Sequence, residues 1–74
     1  MEPSDLDLIA RLTPNHDELR HLVTVHHGFE KTLTRLESVR FPSEAERREI
    51  TKVKRLKLRG KDRIQRILAE HRGV

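Results

Sequence analysis

The sequence lacks cysteine, tryptophan and tyrosine, and it contains only two phenylalanines. Without cysteine, disulfide bonds are excluded and the redox compartment is left open. Without tryptophan and tyrosine, the chain has few of the side chains that bury the largest apolar area. At 74 residues, 34% of them hydrophobic, it lies near the lower limit for a self-sufficient core. We therefore expect one small domain, residues 1–74, that gains stability by self-association.

Long apolar runs are also missing. No run approaches the roughly 20 residues that a membrane-spanning helix needs. The first seven residues, Met-Glu-Pro-Ser-Asp-Leu-Asp, are acidic and lack the apolar segment of a secretory signal. We expect a cytoplasmic protein with no membrane span.

Charged residues are plentiful but unevenly distributed. The net charge is +4, from 16 Lys or Arg and 12 Asp or Glu. Residues 1–43 hold five basic and seven acidic residues, a charge of −2, whereas residues 44–74 hold eleven and five, a charge of +6. This asymmetry is the main electrostatic feature of the chain.

Apolar spacing and turn residues divide the chain into three helical segments. Residues 4–12 form a short N-terminal segment, residues 14–39 helix 1, residues 40–43 a turn containing Pro42, and residues 43–71 helix 2. Helix 1 has a seam with alternating steps of three and four: Leu19, Leu22, His26, Phe29, Leu33 and Leu36. The short turn predicts an all-α, antiparallel, coiled-coil-like two-helix hairpin that self-associates into a helical bundle, with a dimer the simplest solution.

Each segment begins with residues typical of a helix N-terminus. These are Ser4 with Asp7, then either Thr13 with Pro14 or Asn15 with Glu18, and finally Ser43 with Glu46. The nine residues of the first segment are too few for an isolated helix, so it either docks on the main body or frays.

Two groups of residues form a distinctive pattern: His26, Phe29, Glu30, Leu33 and Glu37 in helix 1, and Lys54, Lys57, Leu58, Lys61, Asp62 and Ile64 in helix 2. This pattern resembles the YdcH-like family of short bacterial proteins, which are of unknown function. The resemblance implies an α-helical hairpin and brings no enzymatic activity, cofactor or established partner.

Phe29 and Gly60 depart from the family pattern, which usually has leucine at both positions. Pairing the helices outward from the turn places these residues within about one helical turn of each other. We expect the Phe29 ring to fill the space that Gly60 vacates, so that Gly60→Leu overpacks the interface.

The histidines and acidic residues favour structural roles. No two of the five histidines have the i,i+4 spacing of a helical metal site, so we expect no metal and no cofactor. His26, on the seam, is expected to be partly buried. Glu30 is expected to pair with Lys57, and Asp62 with Arg66. No nucleophile, base and oxyanion donors converge, so we expect no catalytic residues and no small-molecule substrate.

Helix 2 carries a basic stripe that is the strongest candidate binding face. Its members repeat at steps of three and four, which places them on one side of the helix: Arg48, Lys52, Arg55, Arg59, Arg63 and Arg66. Such a stripe either tracks a phosphate backbone or keeps a small protein soluble. No aromatic residue is interleaved with it, which disfavours sequence-specific or single-strand recognition.

More apolar residues are present than one two-helix seam can hold. Val25, Leu56, Leu58 and Leu68 either dock against a second copy or another helical protein, or lie singly on the surface. We therefore expect a non-enzymatic helical interaction module that acts through self-association or protein–protein contacts. The alternative is electrostatic, sequence-nonspecific nucleic-acid binding through the basic face of helix 2.

Overall fold

The computed structural model describes residues 2–72, which form three α-helices. They are α1 (Pro3–Leu12), α2 (Asp17–Glu37) and α3 (Glu44–Arg72), and a 3-10 turn, Thr13–Asn15, joins α1 to α2. No strand occurs between residues 2 and 72, which confirms the prediction of an all-α protein.

Helices α2 and α3 pack along each other and share charged contacts at both ends. Near the start of α2, Glu18 accepts two hydrogen bonds from Arg63, each 2.8 Å long. Near its end, Glu37 lies 3.7 Å from the Nζ of Lys54. Residue numbers therefore rise along α2 as they fall along α3. Within about one helical turn of the Glu37–Lys54 pair, Leu33, Leu36 and Val53 are buried.

The larger part of the core lies at the other end of the helix pair, where α1 closes it. Ile9 of α1 joins four fully buried residues of the other helices: Leu19, Ile64, Ile67 and Leu68. Leu68 was predicted either to dock against a partner or to lie singly on the surface. It does neither, because it is buried in this cluster together with Ile9 of α1. The first helical segment was expected either to dock on the main body or to fray, and it docks as α1.

A buried carboxylate ties α1 to the C-terminal half of α3. Asp5 accepts hydrogen bonds from Arg72 and, at 3.2 Å, from the side-chain amide of Gln65. These two hydrogen bonds hold the pKa of Asp5 below its ordinary value of 3.8. Ile9, by apolar packing, and Asp5, by charge pairing, thus both hold α1 against α3.

The N-terminal caps of α1 and α2 differ from the predicted ones. The cap of α1 is Glu2, with extended backbone, and Ser4 lies inside the helix, where its side chain cannot cap. Helix α2 begins at Asp17 rather than at residue 14, because Thr13 stays helical (φ −56°, ψ −35°) and leads into the 3-10 turn. His16 is the extended residue (φ −134°, ψ 94°), and its Nδ1 accepts the Leu19 backbone N–H at 3.1 Å.

At the start of α3 the predicted capping box is confirmed. The Ser43 hydroxyl accepts the Glu46 backbone N–H at 3.1 Å, and the Glu46 carboxylate accepts the Ser43 N–H at 3.0 Å. Hydrogen bonding to the Glu46 carboxylate, from the Ser43 backbone N–H first and from the Ser43 side chain second, holds the pKa of Glu46 below its ordinary value.

The predicted fit between Phe29 and Gly60 is wrong. A Cβ atom placed on Gly60 would have no heavy atom of another residue's side chain within 4 Å. Phe29 is half-buried, but its ring does not occupy the volume beside Gly60. Helix pairing from sequence gives only the approximate level of a residue along the helix, and this level was not enough to place the ring.

Candidate nucleic-acid interface

The outer side of α3 carries an open groove lined mostly by cationic side chains. Because α3 runs without a break for 29 residues, the 4, 3 and 4 spacing of Arg48, Lys52, Arg55 and Arg59 aligns these residues over about 16 Å. The groove has a volume of ≈ 630 Å³, and its lining residues are Arg47, Arg48, Thr51, Lys52, Arg55, Leu56 and Arg59.

No acidic residue lines this groove. Over residues 2–72, none of its five cations lies within 4.0 Å of a carboxylate. All five side chains are exposed. The groove therefore presents five full positive charges to solvent, which is the electrostatic requirement for following a polyanion.

Arg63 was predicted to belong to the stripe, but it faces α2. Its guanidinium binds both carboxylate oxygens of Glu18. That hydrogen bonding lowers the pKa of Glu18 and raises the pKa of Arg63. The two successive steps of four before Arg63 turn it by about 80° from Arg55, toward α2, whereas the step of three to Arg66 turns the stripe back.

Arg66 and Arg47 also change the outline of the face. Arg66 is exposed but does not line the groove, and it makes no ion pair with Asp62 in the part of the chain that the structure describes. Arg47 lines the groove although it lies off the predicted stripe. Its long, flexible side chain reaches the groove from the neighbouring helix position, and stripe spacing alone does not reveal this reach.

His26 lies between the helices next to the predicted Glu30–Lys57 pair. Glu30 and Lys57 are 3.9 Å apart, and Glu30 also lies 3.5 Å from the Nε2 of His26. The Nδ1 of His26 is buried and has no hydrogen-bond partner among residues 2–72. Burial lowers the pKa of His26, against the opposing effect of the Glu30 carboxylate. A structural role in the α2–α3 interface accounts for these contacts.

The histidines and acidic residues do not assemble into a metal centre. His27 approaches Glu30 at 3.4 Å, and the His16 and His71 rings stack edge to face with centroids 5.7 Å apart. Within residues 2–72, however, no group of three or more His, Cys, Asp or Glu residues is arranged to hold a metal ion.

A second, lysine-lined groove, which the sequence analysis missed, lies on another side of α3. It has a volume of ≈ 280 Å³, and its lining residues are Leu33, Glu37, Lys54, Lys57, Leu58 and Lys61. All six of these residues belong to the family-like motifs. The signal that could have found it is a spacing of four and three from Lys54 through Leu58 to Lys61, which aligns them on one face.

Several apolar side chains remain exposed. Leu58 is 57% exposed and Leu6 of α1 is 56% exposed, whereas Val25 and Leu56 are half-buried. In the α2–α3 connection, Val39 is exposed and Phe41 is 83% exposed, with the Arg40 guanidinium 5.5 Å from the ring centre. The apolar surface is therefore distributed over three separate places.

None of the helices over residues 2–72 combines the length and the apolar character needed to cross a membrane. No protein-family model, curated protein or solved structure matches this chain.

Proposed function

We propose that this protein is a non-enzymatic helical interaction module that binds the phosphate backbone of nucleic acids through the basic face of α3. The observation that carries the proposal is the open groove with five exposed cations and no acidic lining residue. Of the predicted stripe, Arg48, Lys52, Arg55 and Arg59 line the groove, and Arg47 adds to them.

The lining favours binding without base recognition. Contacts from arginine and lysine to phosphates fix position on a duplex but carry no sequence information. Within the described residues, Thr51 is the only uncharged polar residue of the lining, and no aromatic ring lies there to stack on bases. We therefore expect similar affinities for duplexes of different sequence.

Salt dependence and charge reversal test this function. Labelled duplex DNA and duplex RNA are titrated with the protein, and fluorescence anisotropy is measured at 50 and 200 mM salt. If four or five phosphates are contacted, affinity should fall roughly 100- to 500-fold between these concentrations. Arg55→Glu combined with Arg59→Glu should abolish most of the binding.

The matched control is Lys54→Glu combined with Lys61→Glu, which changes the net charge equally on a different side of α3. This variant should keep most of its affinity. Equal weakening by both variants would show that net charge, and not the groove, is responsible. Absence of binding to every duplex at low salt would exclude the function.

A second candidate function is self-association, and the exposed Val39 and Phe41 favour it. In this proposal α2 and α3 act as an antiparallel hairpin, as the order of the Arg63–Glu18 and Lys54–Glu37 pairs supports, and two copies form a four-helix bundle. Light scattering at high protein concentration tests it. A strictly monomeric mass would exclude it, and Phe41→Ser should weaken any dimer that forms.

We also propose that the chain is a YdcH-like protein located in the cytoplasm. The support for the family is the run Lys57-Leu58 and Lys61-Asp62-x-Ile64, together with His26 and Glu30 on α2. Most of these residues lie around the lysine-lined groove or the Glu30 contacts. They are distinct from the cations of the proposed phosphate-binding face.

A further inference from the structure

One face of α3 extends past α1 toward the connecting turn. Its members step by 4, 3, 4, 3 and 4, which aligns them along one side of the helix: Lys54, Leu58, Lys61, Gln65, Leu68 and Arg72. Helix α1 occupies the C-terminal half of this face. Asp5 binds Gln65 and Arg72, and Ile9 packs in the core cluster that contains Leu68.

Among residues 2–72, no helix lies on the N-terminal half of the same face. There, Lys54, Leu58 and Lys61 line the second groove together with residues of α2. Leu58 is 57% exposed, although Leu33 beside it is buried. The face is thus a helix-binding surface of which α1, with its ten residues, covers one half.

Helix α1 shows which chemistry this face accepts. It is amphipathic, with Leu8, Ile9 and Leu12 on its buried side, and it is acidic at its start, with Glu2, Asp5 and Asp7. Its contact with α3 combines an aliphatic side chain in the core with a carboxylate on a cation. The uncovered half offers the same two kinds of contact, because the aliphatic Leu58 lies between Lys54 and Lys61 along the helix.

Charge complementarity specifies the occupant. The groove contains three lysines and one carboxylate, Glu37. The Lys54–Glu37 pair is 3.7 Å long and about half exposed, so it is a weak surface pair that a better-placed carboxylate can replace. Within residues 2–72, Lys61 has no carboxylate within 4.0 Å.

We propose that this lysine-lined groove binds an acidic amphipathic helix of another protein, placed in line with α1. Aliphatic side chains of that helix pack on Leu58 and Leu33, and its carboxylates bind Lys54 and Lys61. The distance from Lys54 to Lys61 corresponds to about 10 Å, or two turns of the incoming helix. This is the helix-in-groove mode of recognition, and it leaves the basic face of α3 free for a second ligand.

A second copy of this chain is a poorer occupant. Its acidic helix is α1, whose apolar side is already buried against its own Leu68 and Leu19. To present that side to another molecule, α1 would have to leave its own core. An acidic helix that is free to bind must therefore come from a different protein.

The test uses the full chain and a labelled synthetic peptide. The peptide repeats leucine at steps of three and four with glutamate on both flanks, and a second peptide replaces every glutamate with lysine. Fluorescence anisotropy at physiological salt should give binding of the glutamate peptide with a Kd in the micromolar range and no binding of the lysine peptide. Lys54→Glu combined with Lys61→Glu should weaken binding at least tenfold, and Leu58→Ala several-fold.

The control is Arg55→Glu combined with Arg59→Glu, which should weaken peptide binding less than twofold. Circular dichroism confirms that each variant is folded. Equal weakening by the control, binding of both peptides, or no binding of the glutamate peptide would each overturn the proposal. A dimer that Leu58→Ala dissociates would also overturn it, since a second copy would then be the occupant. The lysine pair is the test here and the control for nucleic-acid binding, and the arginine pair has the opposite roles. A failure of peptide binding can therefore be told apart from a failure of nucleic-acid binding.

Discussion

Gly60 leaves α3 without a side chain at a half-buried point where neighbouring residues leave open space. Glycine inside a helix costs about 1 kcal/mol relative to alanine, because its unfolded backbone is more flexible. We predict that Gly60→Ala raises the free energy of unfolding by about 0.5–1 kcal/mol, as measured by urea denaturation. Gly28→Ala, also in open space, should have a similar effect. A loss of stability on either change would contradict the open-space geometry.

The same observation reverses the prediction for Gly60→Leu. A leucine side chain enters open space instead of striking Phe29, so the substitution should be tolerated. Sequence pairing across two helices gives the approximate level of a residue along the axis. It does not give the rotation of each helix or the rotamer of a large ring, and these decide which volume is filled.

His26 links stability to pH through its burial. Its pKa lies below the ordinary 6.5, so the unfolded chain binds the proton first as the pH falls. Stability from this group is therefore fully present above pH 6.5 and is lost as the pH falls through the folded pKa. We predict that His26→Leu removes this loss of stability below pH 6.5.

His26→Leu should also raise stability by about 1 kcal/mol at neutral pH, because the buried Nδ1 without a hydrogen-bond partner is removed. Thermal unfolding monitored by circular dichroism across the pH range measures both effects. His21→Leu, at an exposed position of the same helix, is the matched control for replacing an imidazole. A profile unaffected by His26→Leu would show that another group titrates there.

At the scale of the helices, the start of α3 depends on two reciprocal hydrogen bonds between Ser43 and Glu46. We predict that Ser43→Ala lowers the free energy of unfolding by about 1 kcal/mol, because the Glu46 N–H loses its acceptor. Ser4→Ala is the control, since no side-chain cap starts α1, and it should change stability little. Urea denaturation of both variants separates them, and equal effects would contradict the assigned caps.

The beginning of α2 illustrates where local patterns stop being informative. Thr13, Asn15 and His16 all have side chains that can accept a hydrogen bond near the break between α1 and α2. His16 becomes the cap because its backbone is extended and Thr13 stays helical. The residue types alone leave this backbone course open.

At the scale of the whole molecule, α1 completes the core. We predict that Ile9→Ala lowers the free energy of unfolding by about 2 kcal/mol or more, because it leaves a cavity beside Leu19, Ile64 and Leu68. Leu6→Ala, at the exposed side of the same helix, should cost far less. Chemical denaturation measures both changes. Similar small losses in the two variants would show that α1 does not contribute to the core.

The helical class, the Ser43–Glu46 capping box and the basic character of α3 were predicted from sequence because each depends on residues within about two turns of one another. The burial of Leu68 and the ion pairing of Arg63 depend instead on distant segments, because α1 covers Leu68 and Glu18 of α2 binds Arg63. The basic face was consequently predicted with one interface residue included, and the lysine-lined groove was missed. Sequence alone determined which residues can share a face of a helix. Only the packing of α1, α2 and α3 decided which of those faces are covered, because burial depends on contacts between segments far apart in the chain.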